Sequence, residues 1–391
     1  MNFDSLLNQF NFLVIFQGFF LALALLFLKK GDSVLNKMLG LMLFTFSWSG
    51  LYFTIDGMGE MKNYLNLAYT NAISDYIYNP LLFLYVVRLT SKAYKITYRS
   101  LLHFIPTALL FFYYANYYFA PASVKAVIFT RGYNYFPYDV AVFAYVNLLQ
   151  LIIYLTMSAI VLNRYAKQIN QVYSNTARRN HNWLKFILII NCTAAVVCFF
   201  MFGTSYAGVG KLISFLSATL VYAIGYKMMS APPHLPELEM EEIISPVKEP
   251  ETAETETSNI KYERSGLSNE RLQQLASKLT EFILTKNPWL DPELNLKQLA
   301  EALNCQPHHL SQVINQHFGK NFYDYINAFR VDEVKARLTD EKYNHLTLLA
   351  IAFDCGFNSK ASFNNVFKKF TGVSPSDYKK ETAQHKKAEI V

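Results

Sequence analysis

The stretch Leu294–Asn321, LNLKQLAEALNCQPHHLSQVINQHFGKN, decides how the C-terminal part of this chain folds. Leu296, Leu299, Ala300 and Leu303 fall at i, i+3, i+4 and i+7, the spacing of one apolar helix face. Asn304–Gln306 supply a short turn, and Pro307 suits the first turn of a new helix, where its missing N–H is no loss. Leu310, Val313, Ile314 and Phe318 give that second helix its own apolar face. Two short helices across a tight turn, the second with polar residues at its outer N-terminal end, are what a reader of the DNA major groove requires.

The pattern then repeats. In TLLAIAFDCGFNSKASFNNVFKKFTGVSP, Thr347–Pro375, Ile351 and Ala352 stand where Leu299 and Ala300 stand in the first unit. Phe363, Val366 and Phe367 stand where Leu310, Val313 and Ile314 stand. Between the two units, Phe322–Leu338 reads as a long amphipathic helix that could hold them at a fixed separation. Upstream, Leu272, Leu275, Leu279 and Phe282 predict a further helix over 269–285.

Residues 294–380 resemble the DNA-binding domain of AraC-type transcription regulators. The matching residues are LAEALNCQPHHLSQVINQHFGKNFYDYINAFRVDEVKARL and AIAFDCGFNSKASFNNVFKKFTGVSPSDYKK. The resemblance implies that each unit lays its second helix into successive major-groove segments of promoter DNA, with RNA polymerase as a further partner. By motif position, the implied base readers are His308, Ser311 and Gln312 in the first unit. In the second they are Lys360, Ala361, Asn364 and Asn365. Gln and Asn suit adenine edges, Lys reaches guanine, and a small apolar side chain touches the thymine methyl. Neither reading helix carries Arg, which shifts weight from guanine contacts to DNA shape. Lys320, Lys368, Lys369 and Lys379 are the phosphate candidates, which position without specifying. From Lys297 to Lys380 there are 11 basic and 8 acidic residues, a net +3. That is modest for a DNA binder, so pairing of two copies would help through effective concentration.

Working back from this domain, the chain changes character. Over all 391 residues it is 52% hydrophobic, 16% aromatic and only 17% charged, where soluble domains carry about 25% charged residues. The apolar excess lies in residues 1–229. A membrane span needs about 20 mostly apolar residues. Seven segments qualify, near 7–28, 38–55, 66–88, 101–119, 139–162, 184–202 and 208–229. The first is expected to be a retained span, because no basic segment precedes it and no small-residue cleavage site follows. Pro80 and Pro106 fall in the third and fourth, and membrane helices tolerate proline. Lys and Arg number 12 in the first, third and fifth loops against 4 in the others. The positive-inside rule therefore puts the N-terminus outside and the C-terminus in the cytoplasm of a bacterial inner membrane, the side where DNA is.

Asn71, Asp75 and Asn79 recur at every fourth position and share one face of the third span. An acid at that depth costs about 2.5–3.5 kcal/mol on insertion scales, and such residues face the bundle interior. They are either an intramembrane sensor for an unknown small-molecule or lipid ligand, or interhelical hydrogen-bond glue. Asn147, Gln150, His103 and Asn191 are their potential partners. In the outer loop, RGYNYFPYD reads as an interfacial anchor more readily than as a ligand site.

Between the two halves, residues 230–267 are rich in Pro and carry eight Glu against Lys248 over 231–260. This predicts a disordered, self-repelling tether. It spans roughly 33 Å r.m.s. for a flexible chain of its length.

The expected architecture is therefore all-α. It comprises a seven-helix transmembrane bundle over 1–229, an acidic linker over 230–267, and a tandem helix-turn-helix domain over 268–391. The function expected is a membrane-bound regulator that couples a signal to promoter binding. The alternative is a receptor or transporter whose tail is a docking module. No phosphate loop, H-E-x-x-H, G-x-S-x-G or kinase motif set is present, so no enzyme and no cofactor are expected. Cys192, Cys198, Cys305 and Cys355 lack metal spacing and are expected to pack as small hydrophobes. His308 and His309, as helix neighbours, are expected to point apart without a third ligand, so no metal is expected.

Overall fold

The computed structural model describes residues 3–29, 31–91, 94–131, 139–176, 182–201 and 268–389. The predicted seventh span, the acidic linker, residues 132–138 of the aromatic loop, and the basic residues Lys30, Lys92, Arg178, Arg179 and Lys211 lie outside these. The fold is all-helical, with no strand among the described residues. The chain divides into two compact units. One comprises 1–163 with 181–236, and the other 164–180 with 237–391.

The first unit is built on α1 (Phe3–Phe27), α2 (Ser33–Gly57) and α3 (Thr70–Thr90), which pack in sequence order. Helix α2 starts where it does because Asp32 accepts from the Val34 and Leu35 amides, at 2.8 and 3.0 Å, and so satisfies two orphan donors of its first turn. Arg88, at the end of α3, donates to the same carboxylate at 2.7 Å. Burial tends to raise the Asp32 carboxyl. The Leu35 amide, Arg88 and the Val34 amide together hold it below its ordinary value. Leu35, Leu39, Leu43, Leu82 and Val86 form the centre of this core, joined by Leu155 and Leu162 of α7 (Asp139–Val172) and Leu184 of α8 (Asn182–Met201).

Two prolines behave differently. Pro80 sits inside α3, as the sequence predicts. Pro106 does not continue a helix. The fourth predicted span breaks into α4 (Tyr98–Leu101), a 3-10 turn at Leu102–Phe104, and α5 (Ile105–Tyr118). Pro106 stands in the first turn of α5, the position that needs no amide donor. Helix α5 has 14 residues, about 21 Å of rise, against a hydrocarbon core of about 30 Å. Helix α6 (Ala122–Arg131) follows it. Three helices are long and apolar enough to cross a membrane among the described residues, within Asn8–Phe27, Ser33–Gly57 and Val142–Val172. Helix α3 has the length but is diluted by Asn71, Asp75, Asn79 and Arg88.

The second unit contains α9 (Asn269–Lys286), α10 (Leu296–Ala302), α11 (Pro307–Gln316), α12 (Phe322–Thr339), α13 (Leu348–Asp354), α14 (Lys360–Thr371) and α15 (Pro375–Glu389). It has two cores. Leu279 and Ile283 of α9, Leu296 and Leu299 of α10, Leu310, Val313 and Ile314 of α11, and Phe322 and Ile326 of α12 make the first. Val331 and Val334 of α12 join Ile351, Phe357, Phe363 and Phe367 in the second. Helix α12 thus has one end in each core. Residues 164–180, which the sequence reading assigns to the apolar half, belong to this unit, and Tyr165, Ile169, Val172 and Tyr173 are part of its first core.

Candidate nucleic-acid interface

Each helix-turn-helix is set by caps that the sequence supplies locally. In the first, Asn295 Oδ1 accepts from the Gln298 amide and Gln298 Oε1 accepts from the Asn295 amide, both at 2.9 Å. This reciprocal box satisfies two donors at the start of α10. In the second, the Thr347 hydroxyl accepts from the Ala350 amide to start α13, and the Ser359 hydroxyl accepts from the Ser362 amide to start α14.

The two turns are superposable in their bonding. Asn304, with φ 52°, and Gly356, with φ 88°, occupy the same position in the repeat. One residue later, the Cys305 amide donates to Ala300 O at 2.9 Å and the Phe357 amide donates to Ala352 O at 3.1 Å. The repeat is therefore structural as well as compositional, with one extra residue between the turn and α14.

Helix α14 buries Phe363, Val366 and Phe367 and turns Lys360, Ala361, Asn364 and Asn365 outward. Ala361, Asn364, Asn365 and Lys368 share one face at i, i+3, i+4 and i+7. This is the set expected of a groove-reading helix. Lys368 is exposed on it, and Lys368 and Lys369 sit in its last turn, where cations complement the helix dipole. Lys369 is already engaged by Asp324 at 2.5 Å, an exposed ion pair of the kind worth at most about 1 kcal/mol. Lys320 is exposed and Lys379 half-buried.

Helix α11 is less simply arranged. His308 and Ser311 are half-buried, whereas Gln312 is only 4% exposed and donates to Gln316 Oε1 at 3.0 Å. The expectation that Gln312 presents its amide to a base edge does not match this conformation, because the side chain is buried and bonded along its own helix. Asn315 donates to the Ser311 carbonyl and hydroxyl at 2.8 and 3.3 Å. His308 and His309 do not point apart as expected, since their ring centroids are 4.1 Å from one another. Burial, and then the neighbouring His309, lower the pKa of His308, which favours a neutral imidazole. No group of three or more His, Cys, Asp or Glu residues could hold a metal among the described residues.

The cysteines differ from one another. Cys355 is buried and its thiol is pushed up to about 12 by burial. Cys305 is half-buried, and Cys192 is exposed rather than buried.

The residue at the centre of this domain was not singled out in the sequence. Arg330, in the middle of α12, has no exposed surface. Its Nε donates to Trp289 O at 2.8 Å and its Nη2 to Asp291 O at 2.7 Å and to Ser174 Oγ at 3.0 Å. Its Nη1 donates to Ser174 O at 3.0 Å and to Asn327 Oδ1 at 3.3 Å. The guanidinium also lies 6.0 Å from the Phe357 ring centroid in the second unit's turn. A central Arg in an amphipathic helix reads as surface charge, and only the fold reveals its burial.

Residues 299–381 match the family model for a helix-turn-helix domain. The match spans both units and the linking helix. An uncharacterized HTH-type transcriptional regulator of Staphylococcus aureus (strain COL) is 34% identical over 87 residues, 22% of this chain and 11% of that protein. The uncharacterized HTH-type transcriptional regulator YpdC of Escherichia coli (strain K12) is 34% identical over 85 residues, 22% of this chain and 29% of that protein. The chain thus matches about a tenth to a third of the length of these relatives. No solved structure matches it significantly.

Within the first unit, the predicted polar face finds partners. Ser49 donates to Asp75 Oδ1 at 2.5 Å and lies 3.3 Å from Ser74. Asn79 donates to Gln150 Oε1 at 3.3 Å. His103 pairs with the Tyr154 hydroxyl at 2.9 Å, and Asn191 donates to Ile187 O in its own helix. Asp75 and Asn79 thus engage different helices, Asp75 with Ser49 of α2 and Asn79 with Gln150 of α7.

Proposed function

We propose that this chain is a membrane-bound transcription regulator that binds promoter DNA through two helix-turn-helix units and answers to a signal received by its apolar half. The observation that carries the reading is the tandem pair: two units with the same turn hydrogen bond, fixed on one helix, with Lys360, Ala361, Asn364 and Asn365 exposed on α14. The membrane part is supported by the three long apolar helices and by exposed Leu13, Phe16, Phe20, Leu149 and Ile152. Apolar surface of that extent is suited to lipid. The preponderance of Lys and Arg in alternate loops supports a cytoplasmic DNA-binding end. A homodimer fits the modest charge of the domain. In this reading α14 contributes base contacts, while Gln312 must turn out of its buried seat before α11 can.

Selection of genomic DNA by the detergent-solubilised full chain should recover a site with two segments about one helical turn apart. On that site, Asn364→Ala should cost about 1–3 kcal/mol of affinity and relax preference at one position. Lys368→Ala should weaken all sequences alike and reduce the salt slope by about 1. Failure of the full chain to enrich any sequence at moderate salt overturns the reading.

The bonds from Ser49 to Asp75 and from Asn79 to Gln150 favour a second reading, a receptor or transporter whose tail is a docking module. For the regulator, Asp75→Ala should leave DNA affinity in detergent unchanged and fix reporter expression at one level in cells. Substrate flux in proteoliposomes that disappears in Asp75→Ala decides for the second reading.

A further inference from the structure

The segment Tyr165–Asn175 joins the DNA-binding unit in three independent ways. Its apolar residues Tyr165, Ile169, Val172 and Tyr173 fall at i, i+4, i+7 and i+8, a single face, and all are buried among Leu279, Trp289, Leu294 and Leu296. Its backbone pairs antiparallel with the chain before α10: Tyr173 bridges Asn295, and the Ser174 amide donates to Leu294 O at 3.3 Å. Its polar end reaches the linking helix, where Ser174 O accepts from Arg330 at 3.0 Å and from Asn327 at 3.1 Å, and Ser174 Oγ accepts from Arg330 at 3.0 Å. Two of the five acceptors around a fully buried guanidinium therefore come from this segment. A buried charge short of acceptors is costly, so Arg330 holds this position while Ser174 is seated.

Arg330 is also where the two helix-turn-helix units meet. It bonds the 289–291 turn that precedes the first and lies against the turn of the second, where Gly356 leaves room for it. Helix α7 is one element, Asp139–Val172, and its last turns belong to this unit.

We propose that residues 165–175 are a docking element in cis. They complete the first core of the DNA-binding unit and, through Ser174 and Arg330, fix α12 and hence the spacing of the two reading helices. The docked state is the one that binds DNA. This rests on the DNA-binding reading only for its last readout.

The test uses the full chain in native membranes. Bridge partners lie about 4.5–5.5 Å apart at Cα, inside the range of a disulfide. Tyr173→Cys with Asn295→Cys should therefore cross-link on oxidation. Cleavage at a protease site inserted after Pro250 should then leave the two fragments joined until reductant is added, and fragments that separate without reductant overturn the proposal. Ile169→Asp with Val172→Asp puts charge on the seated face without changing residues 268–391. It should raise amide exchange over Phe322–Arg330 and lower DNA affinity, each about tenfold. Ser174→Ala, a milder change, should move both in the same direction by a smaller factor. Wild-type exchange and affinity in these variants, or an increase in affinity, overturn the positioning role. Cross-linking and faster exchange as expected, with no DNA binding by any form, sink the DNA reading and leave the docking intact.

Discussion

Gly356→Ala should disable the second helix-turn-helix more severely than any other single-methyl change in the domain. Its φ of 88° is a conformation that costs L-residues about 1–2 kcal/mol. The added Cβ would also stand 2.3 Å from Trp289 O, 2.9 Å from Arg330 Nε and 3.1 Å from the Leu290 carbonyl carbon. Two of those are backbone, and the third belongs to a side chain fixed by five hydrogen bonds, so no neighbour can step aside cheaply. Overpacking adds about 1–3 kcal/mol, giving about 2–5 kcal/mol in total, a large share of a domain's usual 5–15 kcal/mol. Gly372→Ala separates the two terms. Its φ is 82° but nothing lies within 4 Å of the new methyl, so only the backbone cost of about 1–2 kcal/mol remains. Amide exchange over α13 and α14 should rise steeply in the first variant and little in the second. Equal effects would show that the crowding around Gly356 is not what constrains it.

Arg330→Met should be the second severe change. Methionine keeps most of the length but none of the donors, so Trp289 O loses the Arg330 Nε donor, while Ser174 O keeps only Asn327 and Asp291 O only the long bond from the Leu294 amide. Buried unsatisfied groups cost about 1–3 kcal/mol each, and about 3 kcal/mol is expected. Replacing buried ion pairs with apolar residues can be neutral, but the acceptors here are mainly main-chain carbonyls that a single substitution does not remove. Burial pushes the Arg330 pKa down to about 10, with Asp291, Tyr323 and Glu293 opposing it, so the charge persists at neutral pH. The melting temperature of the helix-turn-helix unit should fall by at least about 10 °C in calorimetry of the solubilised full chain. Arg330→Lys should recover less than half of this, because a single ammonium cannot span the fork of acceptors. A full recovery would mean that charge, not geometry, holds the site.

What was legible in the sequence follows from local rules. The helices at Leu296–Ala302, Pro307–Gln316 and Lys360–Thr371 are written in i, i+3, i+4 spacing and in Asn295, Pro307 and Ser359 at their starts. Each such signal lies within a few residues of what it determines. Asn79 meeting Gln150 was legible too, because a polar residue in an apolar helix must find a partner in a neighbouring one. Gln312 differs from its expected exposure for the complementary reason. Its chemistry suits a base edge, but whether a side chain is exposed is decided by everything packed around its helix. Pro106 was misjudged because a proline inside a helix and one in a first turn have the same neighbours in sequence and different hydrogen-bond bookkeeping.

The sequence by itself determined an all-helical architecture, an apolar half distinct from a tandem helix-turn-helix half, and the order of the helices in the latter up to Lys360–Thr371, leaving Pro375–Glu389 unread. The tertiary structure alone decided that the end of the fifth apolar helix belongs to the helix-turn-helix half. Ser174 meets Asn327 and Arg330 across 153 and 156 positions of sequence. Such a contact has no period and no local motif. It arises because a buried guanidinium needs several acceptors at once, and no single stretch of chain near Arg330 supplies them all.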